Sequence, residues 1–129
     1  MRVLFVLFIS IYLFGANFDW QYDFKVAKDL AKKENKPIMI MIYQDGCLAC
    51  EYMDEVAFEN DELSDFIENF FIPVKLTIKE AKSLGFKAYG TPTFYFLDKN
   101  AKQIGRQLVG GATPKVFLEK VKEYKKMID

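Results

Sequence analysis

Two of the 129 residues are cysteines, and they stand together as Cys47-Leu48-Ala49-Cys50. Thiols at this spacing suit thiol–disulfide exchange, in which a thiolate attacks a disulfide sulfur and a second thiol resolves the mixed disulfide. On a helix, two intervening residues put the second sulfur one turn on, close enough to close a small ring. A helix N-terminus presents unpaired amide N–H groups and the positive end of the dipole. Such sites can lower a cysteine from its ordinary value of about 8.5 to about 3.5–7.5. Cys47, at the exposed end, would be the attacking sulfur, and Cys50 the resolving one. The competing reading is a structural staple or a pair of core thiols. A disulfide across two residues constrains little unfolded-chain entropy, and core thiols rarely fall together at a strand-to-helix junction. Redox activity is therefore the stronger reading.

The flanking elements place the pair at such a junction. Ile38–Tyr43 (IMIMIY) is a continuous apolar run, which suits a strand buried on both faces. After the cysteines, Tyr52, Met53, Val56 and Ala57 recur at helical spacing, and Asn60 or Asp61 restarts a helix carrying Leu63, Phe66 and Ile67. Upstream, Phe24, Ala27, Leu30 and Ala31 mark a first helix that stops at Asn35-Lys36-Pro37. Phe71–Ile78 reads as a strand, with Pro73 hinting at an edge or a bulge. A short helical turn around Lys79–Leu84 leads to Gly90-Thr91-Pro92, then to strand Thr93–Leu97, a turn at Asp98-Lys99-Asn100, and a partner strand Gln103–Val109. Gly110-Gly111 breaks the chain. Thr113 as N-cap and Pro114 at the first helical position open a last helix with Val116, Phe117, Leu118 and Val121 inward. The order α, β, α, β, α, β, β, α predicts an α/β fold: a central mixed sheet with helices on both faces.

Composition narrows the chemistry further. Hydrophobic residues make up 51% and aromatics 16%, so a packed core is expected rather than disorder. Eighteen basic residues balance 18 acidic ones, which gives no electrostatic footprint for nucleic acid or an anionic membrane surface. The absence of histidine removes His-based acid–base catalysis, and two cysteines cannot close a four-ligand Cys/His zinc site. No metal and no cofactor is expected beyond a redox-active Cys47–Cys50 disulfide. The aromatics Phe70, Phe71, Phe94, Tyr95 and Phe96 read as core and sheet-face packing. Lys120, Lys122, Lys125 and Lys126 read as a solvated face of the last helix.

The N-terminus reads as an address. Met1-Arg2 is a short positive start, Val3–Phe14 is apolar apart from Ser10, and Gly15-Ala16 supply small residues before Asn17. This is the layout of a secretory signal peptide over residues 1–16. The apolar run is too short for a membrane span of roughly 20 residues, although a retained N-terminal anchor is the alternative. Removing those 16 residues from the 129 leaves 113 with 17 basic and 18 acidic side chains, read as one domain over 17–129. An exported domain meets an oxidising compartment, where a cysteine pair can form a disulfide.

A strand–CxxC–helix junction, Gly90-Thr91-Pro92 before a strand and a late Gly110-Gly111 together resemble the thioredoxin superfamily over residues 22–126. Within it, CLAC and the run Glu51–Phe58 are most similar to the exported thioredoxin-like domain of DsbD-type thiol:disulfide interchange proteins and to small periplasmic thioredoxin-like proteins. The resemblance implies that Cys47 is the nucleophile, that Cys50 resolves, and that Pro92 is a cis-proline facing the disulfide. The backbone of Thr91 would then pair with an extended substrate segment. An ordinary strand-initiating turn is the plainer reading of Thr91-Pro92. Tyr43, Gln44 and Tyr89 would rim the site. Lys75 falls where thioredoxins keep a lysine, though a solvated strand lysine fits as well.

Two positions depart from the family pattern. Gly46 stands where a tryptophan usually precedes the first cysteine, and Met41 where a buried acid assists proton transfer at the resolving cysteine. Asp54 and Glu51 are candidates for that task, and each also reads as an ordinary helix-surface carboxylate. The expected function is an exported thiol:disulfide oxidoreductase that reduces protein disulfides as a monomer, re-reduced by a membrane reductase. A non-catalytic binding module with a structural disulfide, and an oxidising member of the same superfamily, are the alternatives.

Overall fold

A computed structural model describes residues 18–129, so the signal-peptide segment, residues 1–16, lies outside the described residues. The elements are α1 (Phe24–Glu34), β1 (Ile38–Tyr43), α2 (Leu48–Tyr52), α3 (Asp61–Phe70), β2 (Ile72–Thr77), α4 (Ile78–Ser83), β3 (Thr93–Leu97), β4 (Leu108–Val109) and α5 (Pro114–Lys126). A π-helical turn, Met53–Ala57, continues α2. The helical region after the cysteines is thus two helices, separated where Asn60 accepts a hydrogen bond from Leu63 N–H at 3.0 Å and caps α3.

The sheet runs β2-β1-β3-β4, with β1 and β2 parallel and the other two pairs antiparallel. Strand periodicity sorts β1 cleanly, because successive side chains point to opposite faces. Ile38, Ile40 and Ile42 pack with Ala27 and Ala31 of α1, Ala81 of α4, and Val74 and Leu76 of β2. Met39 and Met41 face the other way, into a cluster holding Cys50, Met53, Ala57 and Phe58 with Phe94, Phe96, Phe117 and Val121. All five apolar residues of β1 before Tyr43 are fully buried, as a central strand requires. Phe58 anchors the second face, its ring edge-on to Phe18, Trp20, Phe94 and Phe117 at centroid distances of 5.4, 5.5, 6.3 and 5.5 Å.

Caps fix the element ends. Asp23 opens α1, and Asn35 closes it in the left-handed region at φ 54°. Thr77 and Glu80 form a reciprocal capping box on α4, while Thr113 and Pro114 open α5. Pro73 lies in β2, at one edge of the four-stranded order. Beyond it Gln21 donates to the Pro73 carbonyl at 2.8 Å and accepts from Lys75 N–H at 2.9 Å.

One expected element is largely absent. The partner strand predicted over Gln103–Val109 is reduced to β4 and a single bridge between Leu97 and Gln103. The cause is tertiary. Gly105 takes φ +60°, where a Cβ would stand 3.1 Å from the Tyr124 ring and 3.2 Å from Met127 Sδ. The Tyr124 hydroxyl also donates to the Arg106 carbonyl. Helix α5 therefore claims the segment that would have completed the ladder, although Ile104 N–H still reaches Phe96 O at 2.7 Å.

Candidate functional site

The cysteines sit where the C-terminal end of β1 hands over to α2. Gly46 makes the turn at φ +76°, a conformation an L side chain adopts only under strain, so this backbone disfavours a tryptophan there. Cys47 N–H donates to the Gln44 carbonyl at 3.3 Å, and Cys47 is itself the N-cap of α2. Its sulfur accepts a hydrogen bond from Cys50 N–H at 3.1 Å. This N–H is one of those the first helical turn leaves without a backbone acceptor, so the fold aims a donor at the first sulfur of the pair. Cys47 and Cys50 are joined as a disulfide with Cα atoms 5.2 Å apart. Cys47 is half-buried and Cys50 only 3% exposed, which leaves the first sulfur the accessible one. Leu48 between them is 80% exposed, an apolar side chain held out beside the disulfide.

The second wall is the segment before β3. The Thr91–Pro92 peptide bond is cis, and Cys47 Sγ lies 3.3 Å from the Thr91 carbonyl oxygen. In the disulfide that sulfur carries no hydrogen; as a thiol it could donate to the same oxygen. Pro92 is buried, and its carbonyl accepts from Gly110 N–H at 2.8 Å. Buried Thr93 closes the turn from within, donating its hydroxyl to Gly90 O at 2.6 Å and accepting from Tyr89 N–H at 3.1 Å. The four residues singled out from the sequence, Cys47, Cys50, Thr91 and Pro92, thus come together. Thr93 was missed as a side chain that shapes this wall, because a strand-starting threonine carries no distinguishing sequence signal.

A charged pair joins β2 to the π turn that follows the cysteine-bearing helix. Lys75 stands beside Met41 in the parallel β1–β2 register, so the strand position that lacks an acid has a lysine as its neighbour. The ammonium reaches Asp54 Oδ2 at 2.6 Å, with side chains only 14% and 29% exposed. The rings of Tyr43 and Trp20 lie 5.0 and 5.7 Å from the same nitrogen, which gives the cation two aromatic faces. Asp54 Oδ1 is buried and has no hydrogen-bond partner. Asp54 belongs to the π turn, four residues after Cys50. Glu51, by contrast, is exposed.

Of the expected rim, Gln44 enters through its backbone carbonyl and Tyr89 is 51% exposed, whereas the Tyr43 ring serves the Lys75 cation. Among the described residues, no cluster of three or more His, Cys, Asp or Glu side chains could hold a metal, and no helix is long and apolar enough to cross a membrane.

A family model described as a thioredoxin-like domain matches residues 24–125. Among curated proteins, the thiol:disulfide interchange protein DsbD of Pseudoalteromonas atlantica is 28% identical over 94 residues, which is 69% of this chain and 16% of that protein. Human spermatogenesis-associated protein 20 is 36% identical over 62 residues, 48% of this chain and 8% of that protein. The chain therefore spans a small fraction of the length of the curated relatives it matches. Among solved structures, the oxidised C-terminal domain of Neisseria meningitidis DsbD superposes with a TM-score of 0.62 at 21% identity, covering 82% of this chain and 99% of that one. A Thermus thermophilus thioredoxin gives 0.66 at 22% identity, covering 79% and 83%.

Proposed function

Because the chain belongs to the thioredoxin-like domain family, we propose that it is an exported thiol:disulfide oxidoreductase that reduces protein disulfides through Cys47 and Cys50. The observation that carries this reading is the Cys50 N–H aimed at Cys47 Sγ at 3.1 Å. A hydrogen bond from a helix N-terminal amide favours the thiolate over the thiol. The similarity to DsbD supports the reaction class, and the apolar run before Asn17 supports export through a cleaved signal peptide over 1–16. The mature single domain, 17–129, acts as a monomer.

In the reduced protein, Cys47 thiolate attacks a substrate disulfide. A Cys47–substrate bond forms, the substrate S–S bond breaks, and the first substrate sulfur leaves as a thiolate that takes a proton from water. Cys50 then gives its proton to Asp54 and attacks Cys47 Sγ. The Cys47–Cys50 bond forms, the mixed disulfide breaks, and the second substrate thiolate leaves and is protonated. The substrate gains two electrons and two protons, and the protein becomes the disulfide. The burial of Asp54 Oδ1, a carboxylate oxygen on the residue four positions after Cys50, supports its role as proton acceptor. The Thr91 backbone and Pro92 hold the substrate chain beside Cys47. No metal or organic cofactor takes part. A membrane reductase returns the two electrons by dithiol exchange.

The first test is the reduction potential of the Cys47–Cys50 couple, equilibrated against a dithiol buffer. A value near about −270 mV, that of thioredoxin, is expected for a reductant, and one near about −120 mV would reverse the direction to an oxidant. Failure to poise any reversible couple would leave the disulfide structural. In parallel, Cys47→Ser should abolish turnover, whereas a non-catalytic binding module would keep its partner with little change.

A further inference from the structure

The two walls of the site are tied together behind the disulfide by a sulfur that is not part of it. Met53 begins the π turn, and its backbone N–H donates to the carbonyls of Ala49 and Cys50, so it is fixed to the cysteine-bearing turn. Its side chain is fully buried, and its Sδ accepts a hydrogen bond from Ala112 N–H at 3.4 Å. Gly111 lies within packing range of the same helix: a Cβ there would make ordinary contact with Met53 Sδ and the Ala49 carbonyl at 3.6 Å each. Gly110 N–H, next along, donates to Pro92 O at 2.8 Å, and the Thr91 carbonyl stands 3.3 Å from Cys47 Sγ. The contacts close a ring: Cys47, Thr91–Pro92, Gly110–Ala112, Met53, and back through α2 to Cys47. Met53 is the one member that joins the loop at 110–112 to the helix through a side chain.

We infer that Met53 is a positioning residue for exchange with protein substrates, its thioether holding the Gly110–Ala112 loop, and through it the Thr91–Pro92 wall, at a fixed distance from Cys47. The inference rests on the exchange reading above and adds a determinant of substrate class to it. A thioether is a weak acceptor, but leucine at this position fills similar volume and offers no acceptor at all. The N–H of Ala112, a half-buried residue, would then lose its partner. A disulfide within a polypeptide must lay its flanking chain along the wall, whereas a small aromatic disulfide needs only the sulfur of Cys47. The loss therefore falls on one substrate class.

The experiment compares Met53→Leu with the unaltered protein in three readouts: KM and kcat for insulin reduction with dithiothreitol as electron donor, the rate with dithiobis-nitrobenzoate, and the potential of the cysteine couple. Volume-conserving core swaps are tolerated, and Ala112→Pro removes the same N–H from the loop side should the core variant fold poorly. The expected result is a KM for insulin raised roughly three- to tenfold, the scale of one lost hydrogen bond, with the small-disulfide rate and the potential unchanged. Unchanged insulin kinetics in both variants overturn the inference while leaving the exchange reading intact. Equal losses with both substrates, or a shifted potential, also overturn it, since Met53 would then support the fold as a whole. An unaltered protein that reduces neither substrate overturns the exchange reading and this inference with it.

Discussion

The two faces of β1 are built from different materials. On one, three isoleucines meet the alanines of α1 and α4; on the other, two methionines meet a bed of phenylalanines under the cysteine-bearing helix. β-Branched side chains are stiff, and alanines let helices approach closely, so the isoleucine face is a rigid floor. Methionine is unbranched and fills irregular gaps. That suits a face which must accommodate a π turn, the buried Cys50 and the Asp54–Lys75 pair. The reactive groups thus sit over the adaptable layer, and the stiff layer carries none of them.

The comparison can be broken most directly at Ile40 and Met41, adjacent and both fully buried. Ile40→Ala is expected to destabilise the fold by about 2–5 kcal/mol, because the stiff layer cannot collapse into the cavity. Denaturant unfolding measures it, and the exchange rate of the molecules that remain folded should be unaltered. Asp54→Asn comes next in size and sharpens the contrast chemically. It should slow resolution of the mixed disulfide by roughly 10- to 100-fold, the lower range of general acid–base effects, while leaving the first attack by Cys47 unaltered. Trapping the intermediate in rapid-quench experiments separates the two steps. Met41→Leu should cost less than about 1.5 kcal/mol, since the methionine layer can repack. A loss equal to that of Ile40→Ala would show the two faces to be alike.

The smallest effect lies at alkaline pH. Burial raises the phenol of Tyr95, and burial with the neighbouring Glu123 charge raises that of Tyr124, above the ordinary value of 10.0. The unfolded chain then releases these protons first. Stability present below that value is lost as pH climbs through and beyond it. Tyr124→Phe, on the methionine face, should make this alkaline loss shallower and cost about 1 kcal/mol at neutral pH through the lost hydrogen bond to Arg106. Thermal melts at neutral and alkaline pH measure both.

Much of this was legible from local pattern. IMIMIY announced a central strand, Thr113-Pro114 a helix start, and CLAC at a strand-to-helix junction a thiol site, because each depends on residues near in sequence. What escaped depends on distant ones. The ladder beyond β3 fails because Tyr124 and Met127 crowd Gly105 from another element. The π turn, an extra residue's worth of helix between Met53 and Ala57, leaves no mark in the spacing of apolar residues. Lys75 and Asp54 each stood out in the sequence beside a plainer reading as a surface charge, but their pairing was not legible there, because it depends on the sheet register that sets Lys75 beside Met41. Thr93 and Met53 act through one hydroxyl and one thioether, whose partners are chosen by the fold.

The arrangement at Gln21 and Pro73 bears on how such a molecule behaves among its own copies. A sheet border with a free row of N–H and C=O groups is a template for strand-by-strand association. Along β2 that row is interrupted by a residue with no N–H and filled by the two Gln21 hydrogen bonds. At the opposite border, β4 is only two residues long. Both margins are thus short of the unpaired backbone that would let one molecule zip onto the next, a useful trait for a domain that, on the reading above, accepts extended chains at Thr91.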